Sequence, residues 1–205
     1  MLISLRNFAS LVLLTQAVTA FAQADTFTSS EAAIANLFPN KNPWVWTSEE
    51  GDLNGDGIID LAMIITLDRE NGPLEKRLLV LAGAAAGKYT LLSVSGEYCD
   101  AQKFYNLGAK GDSLFVTEVH HVGEDGSTTN TLQFRFNKTH GDFELIGKEN
   151  IWEGKEYGRS SVNYLAGLSI EYKRVRGHIK ATKRSRFAAP QLARLNGFTC
   201  DIQPY

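Results

Sequence analysis

The chain has 205 residues, 43% hydrophobic and 21% charged, with a net charge of -2, the balance of a globular protein and not of a disordered or fibrous one. Two Cys, 18 Gly, 5 Pro and 10% aromatic residues exclude a disulfide-dense miniprotein, a collagen and a low-complexity tail.

The N-terminus carries one charge, Arg6, then a Leu/Val-rich stretch over 11–21, then Ala20-Phe21-Ala22 and Ala22-Gln23-Ala24. A charged start, a short apolar run and an Ala-x-Ala end predict a secretory signal over residues 1–24. The run is too short to span a bilayer, and it lacks the polar spacing that would give a buried helix an exposed face. No Cys lies near the cleavage point to take a lipid, and no later stretch is long and apolar enough to cross a membrane. The mature protein is therefore expected to be periplasmic or secreted, with residues 25–205 as a single β-rich domain.

Thr28-Ser29-Ser30-Glu31 has the capping-box pattern, and Ile34, Leu37 and Phe38 follow at helical spacing before Pro39. One short N-terminal helix is expected. Period-two patterns and short apolar runs then predict strands over 61–66, 77–82, 89–94, 113–121, 129–137 and 143–147. Leu132, Phe134 and Phe136 alternate with Gln133, Arg135 and Asn137, so that strand buries one face. Gly-containing turns at 87–88, 111–112, 124–126 and 140–142 supply hairpin connections. Two long strands over 161–173 and 176–187 and a short helix over 190–195 complete the reading. The fold class is mainly β: an antiparallel meander, sandwich or propeller-blade-like sheet.

Export changes the reading of Cys99 and Cys200, because thiols in an oxidising compartment tend to pair. The bridge would close a loop of about 100 residues, worth about 4 kcal/mol in the chain-entropy model. Two separate buried thiols are the alternative. A catalytic thiol is disfavoured, since Glu97 and Asp100 beside Cys99 would raise its pKa.

The densest chemical motif is Asp52-Leu53-Asn54-Gly55-Asp56-Gly57-Ile58-Ile59-Asp60. Calcium takes six to eight oxygens, and side chains at loop positions one, three, five and nine, with a carbonyl at seven, can converge on one ion. Asp52, Asn54, Asp56 and Asp60 hold those positions, Ile58 supplies the carbonyl, and Gly57 sits where the chain turns sharply. Position twelve is Met63, and the residues after Asp60 read as a strand, so this is not a helix-loop-helix site. Without a metal, the same residues form an Asp/Asn/Gly turn. Over residues 50–66 the sequence resembles the Asp-x-Asn-x-Asp-Gly-x-x-Asp calcium loops of FG-GAP and VCBS-type repeats, the blades of integrin-like propellers. That resemblance implies calcium held beside a blade strand in a structural or adhesive role, with Asp52, Asn54, Asp56, Ile58 and Asp60 as ligands. A propeller needs several such loops, and the chain carries one copy.

A second feature is basic. Lys173, Arg174, Arg176, His178, Lys180, Lys183, Arg184 and Arg186 fall within fourteen residues. On one strand Arg174, Arg176, His178 and Lys180 share a parity and would line one face for an anionic partner, the alternative being a solvated outer face. Other patterns are decoys. Residues 83–89 resemble a phosphate loop but have the wrong spacing and no Ser/Thr after Lys88, so no nucleotide is expected. His120 and His121, adjacent on a strand, face opposite sides. Ser93-Val94-Ser95-Gly96 lacks a hydrolase elbow, and Asn137-Lys138-Thr139 is a frequent glycosylation pattern. Trp44 and Trp46 share a strand parity and suit either ligand stacking or the core.

Together these features point to an exported, calcium-stabilised binding module that recognises or neutralises an exported protein or binds a surface anion. The alternative is a hydrolase whose carboxylates, for instance Asp100, Glu118 and Glu144, are brought together by folding.

Overall fold

The computed structural model describes residues 26–68, 72, 74–97, 104–121, 126–154 and 157–199. The signal segment 1–24, the turn residues Glu124 and Asp125, and Asp100, Cys99 and Cys200 lie outside these. The described chain is mainly β, two antiparallel sheets packed face to face with one short helix.

Strand β1 (Thr26–Phe27) leads into helix α1 (Ser30–Leu37). The helix cap is Ser29, one residue later than the first Ser/Thr of the pattern, and its hydroxyl accepts from the Ala32 amide at 3.2 Å. Strands β2 (Trp44–Gly51), β3 (Asp60–Leu67), β4 (Glu75–Ala84) and β5 (Lys88–Val94) follow, with sheet order β1-β5-β4-β3-β2. Strand β3 is buried along nearly its whole length because both faces are covered. Met63, Ile65 and Leu67 pack with Ala33 and Ile34 of the helix, while Ala62 and Ile64 face the second sheet. That double burial explains why β3 reads as a continuous apolar run instead of an alternating one.

The second sheet contains β6 (Phe104–Lys110), β7 (Ser113–His121), β8 (Gly126–Asn137), β9 (Asp142–Gly154), β10 (Gly158–Asn163), β11 (Leu168–Val175) and β12 (His178–Arg186). They form a meander in which each strand lies beside its sequence neighbour. Leu114, Val116, Phe134, Phe143 and Leu145 meet Ala62, Ile64, Leu78 and Val80 of the first sheet, and Leu53 of the β2–β3 loop, in the central core. Strands β2 and β6 close one side of the sandwich. A Cβ on Gly51 would lie 2.9 Å from Ala109 Cβ, so glycine permits that approach.

Three expectations change. The strand expected over 161–173 is two strands, because Tyr164 drops into the core and the chain turns at 164–167. There Asn163 Oδ1 accepts from the Ala166 amide at 2.9 Å. The helix expected over 190–195 is extended chain. The Leu145 amide donates to Ala193 O and the Leu195 amide to Phe143 O, both at 2.8 Å, which delivers Leu195 and Phe198 to the core. Strands β2 and β6 were not anticipated. β2 carries its two tryptophans partly exposed and a bulge at Trp46 that breaks its alternation.

Candidate metal centre and basic hairpin

The loop between β2 and β3 folds around its own acidic side chains. Asp52 accepts the Asp56 amide at Oδ1 (3.0 Å) and the Gly57 amide at Oδ2 (3.1 Å). Asn54 Oδ1 also accepts from the Asp56 amide at 2.8 Å, so oxygens of Asp52 and Asn54 converge on one point. Asn54 Nδ2 donates to Asp56 Oδ2 at 2.9 Å, and Asp56 Oδ1 accepts from the Ile58 amide at 2.8 Å. Gly57, at φ 86°, makes the turn in the left-handed region.

Asp60 does different work. Fully buried at the start of β3, it accepts the Leu53 and Asn54 amides at Oδ2 (2.8 and 3.0 Å) and the Gly83 amide at Oδ1 (3.0 Å). It thereby ties the loop to itself and to β4. Burial pushes its carboxyl pKa up, against the pull of the Gly83, Asn54 and Leu53 amides, and the neighbouring Asp56 charge adds to the rise. Gly83 admits this arrangement, because a Cβ there would lie 2.1 Å from Ile59 O. The glycine of the apparent phosphate loop is thus a packing site for the acidic loop.

The donor set suits a hard cation. A carboxylate has about four lone-pair sites, so Asp52 and Asp56 keep free positions after their backbone contacts, whereas Asp60 has used three. The set is lopsided: Asp56 is exposed and Asp52 and Asn54 are half-buried at the rim, while Asp60 turns inward. Accordingly, among the described residues no three His, Cys, Asp or Glu side chains gather as a metal cluster. A neighbour without sequence signal completes the surroundings. Lys138, in the β8–β9 turn of the other sheet, donates from Nζ to Gly55 O at 3.1 Å.

The basic run is a hairpin and not one strand. Arg174 ends β11, Arg176 and Gly177 form the two-residue turn at φ 50° and 80°, and His178 and Lys180 begin β12. Cross-strand partners share a face. Arg174 therefore lies with Ile179 on one face, while Lys180 lies with Lys173, and His178 with Val175, on the other. The expected shared face of Arg174, Arg176, His178 and Lys180 does not form, because the turn at Arg176-Gly177 resets the alternation. All residues from 173 to 184 are exposed.

Of the carboxylates of the alternative reading, the two among the described residues, Glu118 and Glu144, are not brought together. Glu118 pairs in register with Asn130 and through it with Asn150, six positions along β9 from Glu144, about 20 Å at strand spacing. A bulge in β9, where Ile146 is the extra residue, places Glu144 on the outer face with Arg135, opposite the face of Glu118. Glu118 lies near Lys148, whose pKa burial lowers while the Glu118 charge pushes it back up. A shallow cavity of about 240 Å3 on the outer face contains one carboxylate, Glu149, which is paired with Arg159.

Sequence reading missed Asp142, a buried carboxylate that joins the two sheets. Its Oδ1 accepts from Ser93 Oγ and from the Phe143 amide (both 2.7 Å), and its Oδ2 from the Asn196 amide (3.1 Å). It also missed Lys76, buried beneath Trp46 with Nζ 4.0 Å from the ring centroid. Comparison with protein-family models, with curated proteins and with solved structures found no match.

Proposed function

We propose that the chain is an exported binding module whose sandwich is braced by one calcium ion at the β2–β3 loop. The observation that carries this reading is the convergence of Asp52, Asn54 and Asp56 on an exposed turn backed by the buried Asp60. Three carboxylates within nine residues repel one another, and a cation that touches Asp52, Asn54, Asp56 and the Ile58 carbonyl relieves that repulsion. The resemblance to FG-GAP and VCBS-type loops supports the same ion. Oxygen-only ligands on a flexible turn favour calcium over zinc, which prefers nitrogen and sulfur, and over magnesium, which demands tighter octahedral geometry. Export rests on the pattern of residues 1–24. Binding is preferred to hydrolysis because Glu118 and Glu144 lie far apart on opposite faces, whereas the basic hairpin is exposed from residue 173 to 184 to a protein or anionic surface partner.

The test is thermal unfolding with calcium and with chelator. Calcium should stabilise by about 2.7 kcal/mol at a hundredfold excess over its dissociation constant. Chelator should reverse the shift, and Asp56→Ala should abolish it. Identical melting curves at millimolar calcium and in chelator would leave residues 52–60 as a plain turn.

A further inference from the structure

We propose that the β11–β12 hairpin docks end-on against an anionic lipid surface, its cationic side chains among lipid phosphates and Val175 and Ile179 in the interfacial layer. This deepens the binding reading above by naming the partner.

Charge segregation is the first ground. From Leu168 to Phe187 there are seven Lys and Arg against one Glu, a local charge of +6 in a chain of total charge -2, so the remaining residues sum to -8. A molecule so divided presents its hairpin to a negative surface and turns the rest away. Glu171, paired with Lys183 at 3.4 Å, neutralises one cation and is already counted in that sum.

The arrangement of the charges is the second ground. Thr182 is the extra residue of a bulge, since Tyr172 pairs with Ala181 and Glu171 with Lys183. The bulge sorts the side chains by type. Arg174, Arg184 and Arg186 share one face, while Lys173, Lys180 and Lys183 share the other with His178. Both faces are open along the hairpin, and β12 ends the sheet. A linear polymer or an added peptide strand covers one face or one edge, whereas a headgroup layer entered end-on surrounds both. A second copy of the chain would bring +6 against +6.

The tip supplies the third ground. Val175 and Ile179 are 41% and 51% exposed and lie on opposite faces, so an apolar side chain flanks the cations on each side. Arg176 occupies the left-handed region at φ 50° in a two-residue turn where Asn, Asp or Gly is the favoured residue. An arginine at the outermost point accepts that backbone cost while placing a guanidinium, which binds phosphate bidentately, where the surface is first met.

The experiment is co-sedimentation of the purified protein with vesicles of phosphatidylcholine alone and with vesicles that also contain phosphatidylglycerol, in chelator so that calcium bridges no phosphates. Binding should require phosphatidylglycerol and weaken with salt. R176Q/K180Q/R184Q, which leaves the stack of Arg174 on Tyr157 in place, should bind about a hundredfold more weakly at roughly fivefold per charge, with an unchanged melting temperature. V175S/I179S should also bind more weakly while retaining the salt dependence. Equal binding by the triple variant, or equal binding to phosphatidylcholine alone, would overturn the proposal. Capture by soluble dextran sulfate without any vesicle binding would overturn it in favour of a polymer ligand. The calcium response of the melting curve is read separately, so either reading can fail while the other stands.

Discussion

Asp56 and Asp60 lie four positions apart in one loop and hold it by different means. Asp56 is at the exposed rim, where its loss removes a candidate ligand and the amide contact of Ile58 but uncovers no core. Asp60 is fully buried, and its loss strands the amides of Leu53, Asn54 and Gly83. Asp60→Ala should therefore destabilise by about 2–4 kcal/mol in chelator and calcium alike. Asp56→Ala in chelator should unfold close to wild type. Denaturant titrations of both variants, each with calcium and with chelator, check this. Equal small effects would show that Asp60 is no brace.

At the scale of elements, the β8–β9 turn is locked by Glu144. Its Oε2 accepts from Asn137 Nδ2 at 3.0 Å, its Oε1 lies 2.6 Å from His140 Nδ1, and Arg194 bridges to its backbone. Burial alone would raise its pKa, but the hydrogen bonds of Asn137 and His140 and the charges of His140 and Arg194 together hold it below the ordinary glutamate range. A depressed carboxyl pKa contributes stability above the unfolded value and loses it as pH falls through the folded value. Glu144→Gln should thus cost about 1 kcal/mol near neutral pH, and the difference from wild type should shrink as pH falls below the ordinary glutamate value. Urea unfolding of both proteins across that range measures it, and a constant difference would show that the ionised form does not hold the turn.

Across the whole molecule, the C-terminal segment is the closure. Leu195 and Phe198 enter the core, Phe198 meets Phe134 edge-on at 5.4 Å, and the Gly197 amide donates to Val94 O at 3.3 Å. The segments leading to the two cysteines therefore meet: a Cβ on Gly96 would lie 2.7 Å from Thr199 Cγ2. Cys99 and Cys200 themselves lie outside the described residues, and we propose their pairing on the strength of the proposed export and of these adjoining flanks. Intact mass without reductant should be two protons lighter than with it, about 2 Da, and reduction should cost about 4 kcal/mol of stability. Two thiols that alkylate freely in native material would refute the bridge.

The sequence alone determined the β class, the helix near residue 30, most of the strands and the acidic loop, because each is written in local periodicity or spacing. Residues 61–66, 77–82 and 129–137 carry enough apolar pattern to mark their strands, and Asp52 to Asp60 carry their spacing in nine consecutive positions. Tertiary structure decided what depends on a distant partner. Tyr164 turns inward because a core is there to receive it, so a run that reads as one strand becomes two. Residues 190–195 stay extended because Phe143 and Leu145 offer backbone partners that a helix would forgo. Gly83 and Asp142 act across 23 and 49 positions, on Asp60 and Ser93, and no local window contains both partners. The sorting of arginines from lysines on the hairpin depends on a turn and a single bulged residue, and a one-residue shift in register reverses every side chain beyond it.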